Sequence, residues 1–439
     1  MDKQFIYIAI LCLSYFGYSQ EPPESFSLQE AIDYALENNR TAKNAARDID
    51  AAVKQKWETT ATGLPQLNGS IDYQNQIKQQ FEAIDFDNDG IPDFGAPHGM
   101  TASANLTQKI FDGSYLVGLQ SAKVFLEISK NTKIKTDLEV RKSVINAYGN
   151  VLLTEETIKV LERNISVLEK NLNETTKIFE NGLEEEESVE QLQITLSGVR
   201  SNLGNTKRLK SIAYQMLNIN LGVDINHPTQ LTDNLESLAI QNIELNLLKI
   251  DENVTNTIDY KIADNDKKSK FLLLKLEKSK ALPTLNASLN GSYIANRFEF
   301  NYFDFNKSWI GTVTFGANLN IPIFSSLGRS AATQRARINL KKAEDNLAQT
   351  EQQLKLQIAE AKSNYKFAIE EYQNKKENLN LAQRIEQKNQ TKFFEGIASS
   401  FELRQAQTQL YNSQQEYLQS MIEIINKKAD LETIISTNN

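Results

Sequence analysis

The sequence contains almost no cysteine, little histidine and few residues that break a chain. Cys12 is the only cysteine, so neither an internal disulfide nor a thiolate metal cluster is available. The two histidines sit in loop contexts, Pro97-His98-Gly99 and His227-Pro228. No nucleophile motif, glycine-rich phosphate loop or metal-spaced His/Cys cluster accompanies them, which argues against an enzyme. There is no basic excess. Lys and Arg number 48 against 56 Asp and Glu, a net charge of -8, and nucleic-acid binding needs a concentration of positive charge that is absent. Beyond the N-terminus no apolar run approaches the ~20 residues of a membrane-spanning helix, so any passage through lipid must use a closed β-barrel. Only 8 prolines and 18 glycines interrupt 439 residues. The Gln, Glu, Lys, Leu and Ala between them favour long helices.

The N-terminus indicates export. Asp2 and Lys3 precede an uncharged, mostly apolar run from Phe5 to Tyr18, and Gly17 and Ser19 place small residues at the −3 and −1 positions of a cleavage site. Residues 1–19 read as a signal peptide; a membrane anchor is the alternative, disfavoured because the run is too short to span a bilayer. Leu11, before Cys12, is too bulky for a lipoprotein site, so the mature chain is expected to carry no thiol and no acyl anchor.

One line is written twice: "GLPQLNGSIDY" from Gly63 and "ALPTLNASLNGSY" from Ala281. In the first, Leu67, Gly69, Ile71 and Tyr73 alternate with Asn68, Ser70, Asp72 and Gln74. In the second, Leu285, Ala287, Leu289, Gly291 and Tyr293 alternate with polar residues. Each line has a partner downstream, "ANLTQKIF" from Ala104 and "ANLNIPIF" from Ala317. The latter is preceded by an alternation with Trp309, Val313, Phe315, Leu319 and Ile321 on one face. A period of two over ~10 residues with aromatic ends is the signature of a lipid-facing barrel strand, although a soluble hairpin packed on a core would alternate in the same way.

The segment after each strand pair is different in kind. Apolar or small residues step by threes and fours through Val140, Val144, Tyr148, Val151, Ile158, Leu161, Ile165, Leu168, Leu172, Thr175 and Phe179, and again through Leu347, Leu354, Ile358, Ala361, Tyr365, Ala368, Tyr372 and Leu379. These are narrow coiled-coil seams. Each long helix then meets a glycine followed by an aliphatic residue and a returning helix, in "FENGLEEEESVEQLQITL" and "FEGIASSFELRQAQTQL". Matches recurring at nearly constant offset indicate a tandem duplication. The predicted organisation is a leader at 1–19 and a first repeat at 20–220, with strands near 66–76 and 100–111 and a hairpin turning near 182–188. A linker at 221–251 separates it from the second repeat, 252–439, which has strands near 284–294 and 309–324 and a turn near 396–400. The opening helix of the first repeat is expected to run unbroken from Leu28 to Gly63, with Ser27 and Glu30 forming a capping box.

On "SLQEAIDYALENN", "GLPQLN", "ALPTLN", "IFDGSYLVGLQSAK", "IPIFSSLGRSAATQRAR", "LGVDINHPTQLTD" and the two Gly-aliphatic turns, the mature chain resembles the TolC-like outer-membrane efflux proteins, the outer membrane factors of tripartite pumps, in versions like those of Bacteroidetes-type bacteria. The resemblance implies a mainly α fold with a membrane β part. Duplicated helical hairpins would form a periplasmic α-barrel tunnel, and four strands per chain would enter a 12-stranded trimeric β-barrel. It also implies a homotrimer in the cell outer membrane, surrounded by its lipid and extending into the periplasm. There it would act as the exit duct of an efflux or secretion system, with a periplasmic adaptor (membrane fusion protein) and an inner-membrane transporter as partners. Physics asks independently for several copies, because four strands cannot close on themselves and open edges in lipid leave backbone groups unpaired; two, three or four copies would satisfy it. A periplasmic coiled-coil adaptor or a structural protein of the envelope would explain the helices but not the strands.

Two charged features stand apart. The loop between the first strands reads "DFDNDGIPDF", where Asp85, Asp87 and Asp89 alternate before Gly90, with Asp93 three residues beyond it. Alternate carboxylates ahead of a turning glycine suit calcium, the only cofactor the sequence suggests. The twelfth position is Ala96 rather than a bidentate Glu, so the loop looks more like those of thrombospondin type 3 repeats than an EF-hand; a solvated acidic loop is the alternative. The resemblance places the two glycine turns at the periplasmic entrance, where an adaptor would dock: Gly182, Leu183, Glu184, Glu185, Glu186 and Glu187 on one, Gly396, Ile397, Ala398, Ser399 and Ser400 on the other. The glutamate run would lend the mouth a negative field, or would serve simply as a dipole-favoured helix start.

Overall fold

Ser27 begins the first helix as its sequence dictates. In this computed structural model, which describes residues 22–79, 82–86, 88, 90–249, 253–304 and 308–436, the Ser27 hydroxyl accepts from the Glu30 amide, and the Glu30 carboxylate accepts from the Ser27 amide at 2.8 Å. The expected leader lies outside the described residues. Helix α1, Leu28–Asn38, stops short of the expected continuous span. Asn39 takes extended dihedrals, accepts from the Thr41 amide (2.8 Å), and donates through Nδ2 to the Asn220 carbonyl (2.7 Å). One side chain thus ends α1, caps α2 (Arg40–Ala61) and ties the break to a segment far along the chain. Gly222, at φ +83, completes the joint: a Cβ there would lie 2.4 Å from the Asn38 carbonyl oxygen.

The "LGVDINHPTQLTD" stretch serves the same region. Asn218 donates to the carbonyls of Ile225 and His227 and accepts from the Thr229 hydroxyl (2.6 Å). This shapes the turn that lets β4 (Gln230–Leu231) pair in parallel with β1 (Ser25–Phe26). Asp233 then accepts from the Leu28 amide at the start of α1 (2.7 Å) and from the buried Tyr148 hydroxyl (2.8 Å). Burial, and then the neighbouring carboxylate, push the Tyr148 phenol well above its ordinary pKa.

Four antiparallel strands form one sheet in the order β2-β3-β5-β6, from Gln66–Asn75, His98–Asp112, Thr284–Arg297 and Ile310–Asn320. The register aligns the alternation across every strand: Leu67 faces Leu106, Leu106 faces Leu289, and Leu289 faces Phe315. A bulge between Lys109 and Phe111 returns Phe111 to the apolar side opposite Leu285. The strand expected to continue to residue 324 ends at Asn320, so Ile323 and Phe324 fall in the connection to the next helix.

Long helices make up the rest. Helix α3 (Gly113–Glu180) has 68 residues and α7 (Gly328–Phe394) has 67, each about 100 Å at ~1.5 Å per residue. They are followed by the returning helices α4 (Glu186–Leu221) and α8 (Ser400–Ile435), each of 36 residues. Between the repeats lies α5 (Leu235–Gln241), and α6 (Ile258–Ser279) opens the second. The predicted seams are buried at Val140, Val144, Tyr148 and Val151 on α3 and at Leu354, Ile358, Tyr365 and Tyr372 on α7, whereas Ile158, Leu161 and Leu379 are only partly covered and Phe179 is exposed. Two compact units emerge. One takes the described residues within 22–44, 134–257 and 355–436, the other those within 45–133 and 258–354. Each draws on both repeats, so the units cut across the duplication. In the second unit the Ser114 and Ser279 hydroxyls meet at 3.2 Å, and Lys268 pairs with Glu127 at 2.9 Å.

Candidate functional site

The sheet presents two unlike faces. Leu67, Ile71, Val313 and Phe315 are each more than 70% exposed on the same side, an apolar area with no core of its own chain against it. The opposite face carries hydroxyls and amides bonded across strands, Ser70 to Ser103 and Ser292 to Thr312, both at 2.9 Å. Strands of 10 to 15 residues meet the ~9–11 residues that a tilted strand needs to cross a bilayer. Among the described residues, both outer strands, β2 and β6, leave one edge of backbone groups without a strand beside it. Among the described residues no helix is long and apolar enough to cross a membrane.

Aromatic side chains gather at the loop ends of the strands. Tyr73 stacks on His98 with centroids 6.1 Å apart, and its hydroxyl meets His98 Nδ1 at 2.8 Å. Phe300 and Tyr302 pack edge-on against Tyr73, and Trp309 closes on Tyr302. Arg297 is buried there and donates to the Ser308 carbonyl at 2.7 Å and the Asn296 carbonyl at 3.1 Å. His98 is therefore held in a packing role, and His227 likewise meets the Thr229 hydroxyl at 3.1 Å.

The two glycine turns share one backbone solution. Gly182 (φ +74) donates to the Phe179 carbonyl and Leu183 to Ile178; Gly396 (φ +73) donates to Phe393 and Ile397 to Lys392. Both are Schellman ends, in which a left-handed residue lets the chain satisfy the last carbonyls of a helix. Leu183 and Ile397 stand exposed at the two apices. The structure brings the turns together: Ser188 and Leu192 of α4 border the same small cleft as Phe393, Ser400 and Leu403.

The side chains of the turns differ. Ser399 caps α8 in a capping box with Glu402, whose carboxyl is held below its usual range by the Ser399 backbone amide and then by its hydroxyl. Glu185 occupies the same position on α4 and makes no side-chain cap. Glu184 accepts from the Ser188 hydroxyl (2.6 Å) and Glu187 from Gln191 (2.5 Å), while Glu186 opens the helix. Ala398 donates its amide to the Lys392 carbonyl.

In the acidic loop, Asp87 and Asp89 lie outside the described residues. The Asp85 carboxylate accepts from the Gly90 amide and that of Asp93 from the Phe86 amide, both at 2.8 Å. Among the described residues no three His, Cys, Asp or Glu side chains stand close enough together to hold a metal.

The seams of the sequence do not announce the polar contacts between the two hairpins. Asn164 and Gln414 exchange amide hydrogen bonds, and Gln390 donates to Asn171 at 2.9 Å. Their signal was available as Asn or Gln standing where the seams would place an apolar residue. Arg297 gave none, because its burial comes from loop packing.

The sequence matches the family described as outer membrane efflux protein over residues 31–223 and 271–436. No curated protein matches it. The fold is similar to CusC, whose structures concern folding and transmembrane channel formation (TM-score 0.77, 18% identity, 94% of this chain and 92% of that one). It is also similar to the outer membrane protein VceC of Vibrio cholerae (0.74, 15%, 93% and 96%) and to the CmeC outer membrane channel of Campylobacter jejuni (0.74, 17%, 93% and 85%).

Proposed function

Because the chain belongs to the outer membrane efflux protein family, a transport family of the cell outer membrane rather than an enzyme family, we propose that it forms the passive exit duct of a tripartite efflux or secretion system, conducting small molecules or exported protein from the periplasm to the exterior. The observation that carries this reading is the sheet: one apolar face, one polar face and two unpaired edges, β2 and β6, on opposite sides. Lipid covers the first face, water the second, and neighbouring copies the edges. Three copies give the 12-stranded barrel implied by the family resemblance. The partners are a periplasmic adaptor docking on the turns around Gly182 and Gly396 and an inner-membrane transporter behind it. Outer-membrane fractionation with unheated and heated gel electrophoresis, then planar-bilayer recording, tests the reading. A heat-sensitive oligomer that conducts supports it, and a monomer in the soluble fraction overturns it.

The acidic loop is proposed as a calcium-ordered element at the outer mouth. The support is the Asp85, Asp87, Asp89, Gly90, Asp93 spacing, with like charges that repel without a cation. Limited proteolysis in detergent is expected to cut within residues 80–99 faster with chelator than with calcium. Equal rates would remove the site.

A further inference from the structure

A cleft of about 320 Å³ runs over the sheet-side part of α3, between α2 and α6. Its walls belong to one compact unit and are fastened to one another: the Tyr115 hydroxyl donates to the Thr60 carbonyl at 3.1 Å, and Lys275 donates to the Gln120 side chain at 2.8 Å. Counted along α3 from the end of its strand at ~1.5 Å per residue, Gly118 stands about 9 Å from the sheet and Ile128 about 24 Å. Thr59 of α2 lies against Gly118, its methyl 3.8 Å from where a Cβ would be. Leu272 of α6 falls between the Lys275–Gln120 and Lys268–Glu127 contacts, which sets it farther from the sheet.

The two ends of the cleft are unlike. Near the sheet the walls are small or polar, with Gly118, Ser121, Thr59 and, one turn along α2, Lys56. Farther on they are Phe125, Ile128, Leu272 and Leu273, with Ser269 the one polar residue among them; Phe125 and Leu273 stay 45% and 48% exposed. The near hydroxyls are already bonded to their own helices, Ser121 to the Val117 carbonyl and Thr59 to the Gln55 carbonyl, both at 3.0 Å. Lys56 is the only charged residue that lines the cleft, and among the described residues its ammonium meets no carboxylate. A lone cation at one end of an apolar slot suits a ligand that is anionic at one end and apolar along the rest. At the ~30 Å³ that a water-sized group occupies in a liquid, the volume holds about ten such groups, which is one alkyl chain and not two.

We propose that the cleft between α2, α3 and α6 binds a free medium-chain fatty acid, its carboxylate on Lys56 and its chain along Phe125, Ile128, Leu272 and Leu273. The inference uses the place of the chain in the outer membrane, not its conduction. The test is photolabelling of the full chain in lipid nanodiscs with a decanoate that carries a diazirine near its methyl end. Label is expected within residues 124–128 and 269–273, in a saturable reaction that unlabelled decanoate competes and decanol does not. Octanoate should compete roughly tenfold more weakly, having two methylenes fewer to bury. Lys56→Gln, which changes one half-buried side chain, should lower labelling roughly three- to tenfold. Gly118→Leu, whose side chain would enter the near end where only the Thr59 methyl stands within 4 Å, should abolish it. Label that spreads through the sheet without saturating, or that decanol competes as well as decanoate while Lys56→Gln changes nothing, is partition into the bilayer and overturns the site. Labelling of the same residues by a diazirine phospholipid but not by the free acid also overturns it, since the cleft then belongs to the surrounding membrane.

Discussion

The two glycine turns have the same backbone and opposite chemistry. At each, a glycine near φ +74 ends a long helix with the same pair of hydrogen bonds. Beyond it, one chain direction is set by Ser399 and its capping box, the other by four glutamates with no side-chain cap. Duplication has preserved what the chain geometry needs and released what it does not. The left-handed glycine is irreplaceable at low cost, whereas the next helix can begin with either a hydroxyl cap or negative charge, because both answer the unpaired amides at its start. The glutamate turn is therefore the one free to acquire a role beyond folding.

Removing the charge difference is expected to have the largest effect. Glu184 to Glu187 replaced by Gln should leave the oligomer intact, lower cation preference in planar bilayers and weaken adaptor docking. An unchanged reversal potential together with unchanged efflux would make the two turns equivalent. The shared glycines come next. Gly182→Val and Gly396→Val each force a branched residue into the left-handed region at about 1–2 kcal/mol, and both should raise proteolysis at the turns to a similar degree. A markedly unequal response would show that the turns are held by their surroundings rather than by their own backbone.

A smaller effect is expected at the cap. Ser399→Ala should cost about 1 kcal/mol, read as a lower unfolding temperature, with no counterpart on the other turn. Because the folded state lowers the Glu402 pKa, its contribution is complete at neutral pH and fades as pH falls through that lowered value, so the gap between variant and parent should narrow in acid. Glu185→Ser, which offers α4 the cap it lacks, should bring a gain of a few tenths of a kcal/mol. A loss instead would mean that Glu185 already contributes more through its charge than a hydroxyl can through a bond.

The features legible in the sequence are those set by short-range periodicity. Alternation by twos gave the apolar faces of β2, β5 and β6, and spacing by threes and fours gave Val144, Tyr148, Tyr365 and Tyr372 as buried. The Ser27–Glu30 box was visible for the same reason. The break at Asn39 was not, since the residue that fixes its conformation, Asn220, lies 181 positions away. Nor was the bulge before Phe111: Ile-Phe recurs after the second strand pair, yet there the strand has already ended. Of the candidate site residues, both glycines were legible from their place between two seams. The absence of a cap at Glu185 depends on rotamers that no spacing reveals.

The unpaired edges of β2 and β6 carry a genetic consequence. In a ring closed head-to-tail, each copy lends one edge to each neighbour, so a chain with a single blunted edge still binds on its sound side and is incorporated. A proline in β6, at a residue whose amide points away from β5, removes a ladder donor at that edge. Expressed beside the wild type, such a chain would be dominant, spoiling every assembly it enters. A chain unable to fold would be recessive, because it never competes for a place.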